Sequence, residues 1–281
     1  MAKILLAGCG DIGVRFAKIL TAQGHKVIGL RRRPPVSGKP FMPYYQADLC
    51  CPEQLADLDS DFEQVFYMPT PGRRDIEAYR AVYQTGLQHL LNRLNAQIVP
   101  PQWFFISSTS VYGQSKGEWV DENSAADPSS ASGKIIRQGE RLLQGDNPQH
   151  IIVRFSGIYG PGRERLLKMA AQTPTLAFNP PYFTNRIHQD DCAAVLAFLS
   201  ARHLAGHALD NCYLASDDQP APLWEVMTWL AEQLQYPQPI AQTTVDTHPD
   251  QNKRCNNQRL KTLGFHFNYP SYREGYLPLV R

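Results

Sequence analysis

The hexapeptide Gly8-Cys9-Gly10-Asp11-Ile12-Gly13 constrains this chain more than any other segment, because of what stands on either side of it. Residues 3–7 form a compact apolar run, and residues 14–23 place Phe16, Ile19 and Leu20 on one helical face. Strand, glycine-rich loop and helix in that order are the local signature of a βαβ unit that holds a dinucleotide. The three glycines serve different ends, namely a tight turn, close approach of the backbone to a pyrophosphate, and close packing of helix on strand. The helix N-terminus, with Asp11, Ile12 and Gly13 in its first turn, then faces the anion.

The alternation continues down the chain. Runs at 26–30, 44–47, 64–68, 103–107 and 150–155 read as strands, separated by helical patterns at 53–58, 76–95 and 133–144. This predicts an α/β fold, a Rossmann doubly wound parallel sheet covered by helices on both faces. Farther on, Pro174, Pro180 and Pro181 interrupt the pattern and helical spacing resumes at 190–201 and 223–234. In the latter, Leu223, Val226, Met227, Leu230, Ala231 and Leu234 make a core-facing stripe. Residues 246–257 are polar enough for a long surface loop. We expect a dinucleotide-binding domain over 1–160 and, over 161–281, mostly a small C-terminal substrate lobe with some segments returning to the sheet.

The cofactor type turns on the end of the second strand. An acidic side chain about twenty residues beyond such a loop usually holds the adenosine ribose of NAD. Here Arg31, Arg32 and Arg33 follow residues 26–30, so a guanidinium stands where it can pair with a 2′-phosphate. Arg31 and Arg32 therefore favour NADP, with NAD as the second choice, and fit FAD less well.

Composition narrows the partners. With 43% hydrophobic and 19% charged residues, 281 residues can bury a sizeable core. A net charge of +2, with no longer basic run than Arg31, Arg32 and Arg33, gives no footprint for nucleic acid or a membrane surface. The six cysteines include no CxxC, which predicts reduced thiols and a cytoplasmic setting. The first apolar run is too short for a signal peptide or membrane helix. His203 and His207 lie four apart but lack the glutamate and third ligand of a zinc site, so no metal is expected. No GxSxG elbow surrounds Ser107 to suggest a hydrolase.

Five further motifs carry a family resemblance. Asp48-Leu49 follows the third strand, Met68-Pro69-Thr70 the fourth, and Ser107-Ser108-Thr109-Ser110-Val111-Tyr112-Gly113 ends the fifth. Arg154-Phe155-Ser156-Gly157-Ile158-Tyr159-Gly160-Pro161-Gly162-Arg163 follows the sixth, and Asn185-Arg186-Ile187-His188-Gln189-Asp190-Asp191 lies downstream. Over nearly its whole length the chain resembles the extended short-chain dehydrogenases/reductases, specifically their atypical epimerase/dehydratase-like group. The resemblance implies that Asp48 and Leu49 hold the adenine, that Met68, Pro69, Thr70 and Ser107 line the cofactor, and that Phe155 and Ser156 lie near the nicotinamide. It makes Ser108 the catalytic hydroxyl and turns Arg163, Arg186 and His188 toward a substrate over which the C-terminal lobe closes.

One family feature is missing. In the YxxxK pair the tyrosine exchanges a proton with the substrate oxygen and the lysine lowers its pKa. Counting back from Glu140 places these slots on Ser132 and Ile136; an alternative register, Ser130 to Lys134, keeps a lysine for the cofactor but not the tyrosine. An aliphatic hydroxyl cannot readily reach a pKa near working pH. Ser108, Ser132 and Tyr112 are the catalytic candidates that remain. The expected function is an NAD(P)-binding oxidoreductase or epimerase/dehydratase-like enzyme for a small carbonyl, hydroxyl or sugar-type substrate, and a homodimer is compatible with it. The alternative is a non-catalytic NADP-binding redox sensor or assembly factor.

Overall fold

In the computed structural model, which describes residues 1–35, 41–95, 99–242 and 251–280, the apolar runs become strands of one sheet. The chain opens with β1 (Lys3–Ala7), α1 (Asp11–Ala22), β2 (Lys26–Arg31), β3 (Tyr44–Gln46) and β4 (Gln64–Tyr67). Then come α2 (Ile76–Arg80), a π-helical segment at Ala81–Gly86, α3 (Leu87–Leu94), β5 (Gln102–Ser108), β6 (Glu118–Val120), α4 (Ala131–Asp146) and β7 (Ile151–Phe155). β8 (Gly157–Tyr159), α5 (Arg165–Ala170), β9 (Thr175–Ala177), β10 (Phe183–Thr184), β11 (Arg186–His188), α6 (Gln189–Leu204) and β12 (Cys212–Ala215) follow. The last elements are β13 (Ala221–Pro222), α7 (Leu223–Leu234), β14 (Ile240–Gln242), β15 (Lys253–Cys255), α8 (Gln258–Thr262) and α9 (Tyr272–Tyr276).

Seven strands form a parallel sheet in the order β12-β7-β5-β4-β1-β2-β3, the doubly wound α/β arrangement that the alternation predicts. From β1 the chain first builds outward through β2 and β3, then returns to add β4 on the other side. Ala7 at the end of β1 pairs in register with both Leu30 and Tyr67. The strand order reverses here, so a crevice opens beyond these carboxyl ends.

The chain divides into two compact units. The first comprises Met1–Ser108, Ala131–Arg154 and Ala193–Tyr213; the second comprises Thr109–Ser130, Phe155–Cys192 and Leu214–Arg281. In the first, Phe66 takes Phe16 edge-on at 4.6 Å and stacks on Phe104 at 4.4 Å. Leu87, Leu90, Leu91 and Leu94 bury one face of α3, as their spacing requires. In the second, Tyr159, Val226, Met227, Leu230, Tyr272 and Tyr276 share a core, and the expected stripe of α7 faces it.

Three local expectations need correction. The helix expected at 53–58 is only a 3-10 turn, Pro52–Leu55. The long helix expected over 76–95 is broken by its π segment, where the Tyr67 hydroxyl donates to Val82 O at 2.5 Å and the Cys50 thiol donates to Ala81 O at 3.3 Å. Of the polar stretch 246–257, residues 246–250 lie outside the described residues, while Lys253–Cys255 pairs with β6. Lys253 is buried there because its stem is apolar and its ammonium donates to Tyr112 O at 3.2 Å. Among the described residues no helix is long and apolar enough to cross a membrane.

Candidate functional site

The carboxyl ends of β1, β2 and β4 border an open cleft of about 1010 Å³, all within the first unit. The three glycines play separate parts in it. Gly8 has φ +80°, and a Cβ there would strike the Pro69 backbone. At Gly10 the nearest atom to an added Cβ is Gly8 O at 3.9 Å, so this edge of the cleft stays open for a ligand. At Gly13 a Cβ would press on Cys9 Sγ at 3.0 Å and Met68 Sδ at 3.1 Å, the tight helix-on-strand contact. The Gly8 and Cys9 amides both donate to Leu30 O, at 2.9 and 3.2 Å, which pins the loop to β2.

Helix α1 starts at Gly10 with no side-chain cap, and its first internal bond runs from Val14 N to Gly10 O at 2.9 Å. The amides of Ile12 and Gly13 precede that bond, as donors of a first helical turn do. Asp11 sits to one side, its carboxylate 3.3 Å from Arg15 Nε. Burial pushes the Cys9 thiol up to about 12, so this side chain fills space and is no nucleophile.

Arg31, Arg32 and Arg33 all line the cleft. Arg31 is half-buried and hydrogen-bonds the Tyr44 side chain; Arg32 is exposed, with Nη1 3.7 Å from Asp48 Oδ2. The other Asp48 oxygen accepts from Cys50 N at 3.0 Å, a tight turn that presents Leu49 to the cleft. Pro69 and Thr70 line the cleft at the end of β4, whereas Met68 turns its sulfur toward Gly13.

Ser107 does not face a ligand freely. Its hydroxyl donates to Glu140 Oε1 at 2.6 Å, and the fully buried Glu140 also accepts from Arg154 Nε at 2.9 Å, Arg154 Nη2 at 2.8 Å and Arg137 Nη1 at 2.7 Å. This hub joins β5, α4 and β7. In the sequence Glu140 serves only as a register mark. The signal was present, since Glu140 and Arg154 each interrupt an otherwise apolar buried face. Ser108 ends β5 half-buried; Ser132 is half-buried in the first turn of α4, Lys134 is exposed, and Ile136 is buried. Neither slot of the missing pair regains a phenol or an ammonium.

The remaining candidates lie in the second unit. Tyr112 is fully buried, and its hydroxyl donates to Asp121 O at 2.7 Å. Arg186 is buried, donates from Nη2 to Thr184 O at 3.3 Å and lies 5.3 Å from the Tyr272 ring. His188 is buried against Tyr159 and Tyr269, and its Nδ1 accepts from Asp190 N at 3.3 Å. Arg163 is exposed. Phe155 and Ser156 are buried, with Ser156 N donating to Ala215 O at 3.1 Å.

Asp217, which the sequence does not single out, is completely buried in this unit. Burial pushes its carboxyl well above the usual range, against the opposing pull of Arg186. A raised folded pKa means that the favourable contribution is full below the unfolded value and is lost as pH rises through the folded one. Asp217→Asn is expected to flatten this decline, so its urea midpoint should fall less than the wild type's between about pH 5 and pH 8. Parallel declines in the two proteins would show that Asp217 titrates normally.

Residues 4–198 match the NAD-dependent epimerase/dehydratase family. The chain belongs to that family. Within it, this epimerase/dehydratase-family chain is 36% identical to a Methylobacillus flagellatus protein assigned to the NAD-dependent epimerases/dehydratases, with TM-score 0.81 and coverage of 99% of this chain and 97% of that one. It is 26% identical to protein YeeZ of Escherichia coli K12, over 96% of this chain and 97% of the relative. The fold also matches that of Thermus thermophilus UDP-glucose 4-epimerase, solved with NAD, at 20% identity and TM-score 0.77, covering 99% and 97%. The family agrees with the cradle at the end of β1: the general function is NAD(P)-linked, of the epimerase/dehydratase type.

Proposed function

We propose that this epimerase/dehydratase-family protein binds NADPH in the first-unit cleft and acts on a small carbonyl, hydroxyl or sugar-type substrate. One observation carries the NADP choice: guanidinium groups, not a carboxylate, end β2 inside the cleft. The residues fit the cofactor, because the open edge at Gly10 admits a pyrophosphate and the first amides of α1 face an anion there. Arg31 and Arg32 would hold the 2′-phosphate, Asp48 and Leu49 the adenine, and Pro69 and Thr70 the neighbouring ribose. When bound, the nicotinamide supplies hydride chemistry. Ser108 would orient the substrate oxygen, and Ser132, lacking a lysine at Ile136, would contribute a hydrogen bond but no tuned acid.

The buried Ile136 and the sealed Tyr112 phenol favour a second reading, a non-catalytic NADP-binding sensor or assembly factor. Turnover of small carbonyl, hydroxyl or sugar-type compounds by the pure protein, read as NADPH oxidation or, since an epimerase or dehydratase returns its cofactor unchanged, as conversion of the compound itself, supports the enzyme; tight cofactor binding with neither across that panel supports the sensor.

Calorimetric titration with NADPH and NADH tests the cofactor claim. A charge-assisted hydrogen bond contributes about 1.5–3 kcal/mol, so Arg31→Ala or Arg32→Ala should weaken NADPH roughly tenfold or more and leave NADH nearly unchanged. Equal affinities of the wild type for both cofactors would remove NADP.

A further inference from the structure

The positive charge of the cleft comes from the end of β2 and from the loop after β4, not from the glycine loop. Among its lining residues four guanidinium groups, Arg31, Arg32, Arg33 and Arg73, stand against two carboxylates, Asp48 and Glu77. A phosphate monoester adds a charge of roughly −1.5 to −2 near neutral pH to that of the pyrophosphate, so NADP(H) gives a cluster of arginines more to bind than NAD(H) does. Three of the arginines belong to the end of β2, but Arg73 reaches the cleft from the loop after β4, on the other side of β1 in the sheet.

Two contacts prepare Arg73 for a ligand. Asp75 accepts from Ala78 N at 2.8 Å through Oδ1, capping α2, and holds Arg73 Nε at 3.0 Å through Oδ2. Held at Nε, a side chain that is 80% exposed keeps its terminal amino groups toward solvent and the cleft. Beside it, Arg32 Nη2 would lie only 3.4 Å from a Cβ on Gly72. Arg32 thus approaches Gly72, the residue before Arg73 in the chain, and the missing side chain there leaves space beside its guanidinium.

We propose that Arg73 is a further cofactor-specificity residue, which grips the 2′-phosphate of NADP(H) together with Arg32 across Gly72. The inference rests on the NADP reading above. Paired guanidinium groups suit a phosphate monoester because each can offer parallel N–H donors to its oxygens. No hydroxyl of NAD calls for a second cation at this place.

The test titrates the full chain with adenosine 2′,5′-bisphosphate and, separately, with adenosine 5′-monophosphate. The probes differ only in the 2′-phosphate. Arg73→Ala should weaken the bisphosphate about tenfold and alter the monophosphate by less than about twofold. Arg74→Ala, an exposed neighbour that does not line the cleft, should alter neither. An Arg73→Ala protein that binds the bisphosphate like the wild type, or loses both probes equally, overturns the grip while the NADP reading stands. A wild type that binds the two probes alike overturns both.

Discussion

Replacing Gly8 with alanine is expected to destabilise the protein by about 3 kcal/mol or more and to abolish measurable cofactor binding. A left-handed backbone costs a residue with a Cβ about 1–2 kcal/mol. The new methyl group also meets the Pro69 backbone, which cannot step aside easily because Met68 N is bonded to Ala7 O at 2.8 Å. Urea denaturation reads the first loss and calorimetry the second. Gly10→Ala makes the contrast: its Cβ meets nothing closer than 3.9 Å, so stability should stay within about 1 kcal/mol while the methyl group intrudes on the pyrophosphate path. If Gly8→Ala were as stable as Gly10→Ala, the turn would be adaptable and its glycine a matter of choice.

The second large effect is expected at Glu140. Glu140→Ala takes from Arg154, a buried guanidinium, the carboxylate that it bonds through both Nε and Nη2, and takes the acceptor from Ser107, which should cost about 3–5 kcal/mol. Arg137 is partly exposed and can turn to solvent. Removing both buried partners, as Glu140→Leu with Arg154→Met, should recover much of the loss, because desolvation then falls on no unpaired charge. Denaturation of the single and double variants measures this. A double variant no more stable than Glu140→Ala would mean that the hub acts through packing and not through charge.

The fold was readable wherever a physical requirement has a local pattern. Buried parallel strands demand short apolar runs, and the turn from β1 to α1 demands glycines at fixed spacing, so β1, β2, β4, β5 and the loop at Gly8 are visible in the letters. Arg31 and Arg32 were legible because their distance from that loop is set by one helix and one strand. Other features depend on partners far along the chain. Tyr112 reads as a motif phenol until Asp121 O takes its hydrogen bond, and Lys253 reads as loop until β6 supplies a strand to pair with. Arg73 gains its neighbour only because the sheet places β2 and β4 on either side of β1. Arg186 and Asp217 are charged letters in polar company, and only the folded second unit buries them.

The π segment at Ala81–Gly86 has a bearing on how this protein can vary. Successive helical residues point about 100° apart, so a single residue added or removed within the segment rotates everything before it by that angle. Glu77 and Ala78, which border the cleft, would swing away from it while the leucines of α3 kept their seat. The wider turn is stabilised by Tyr67 and Cys50 bonding its carbonyls, side chains contributed by neighbouring segments. Residue count between α2 and α3 is thus under the same kind of constraint as residue identity at the glycine loop. Homologues that differ in length by one residue here should present a different set of side chains to the nucleotide.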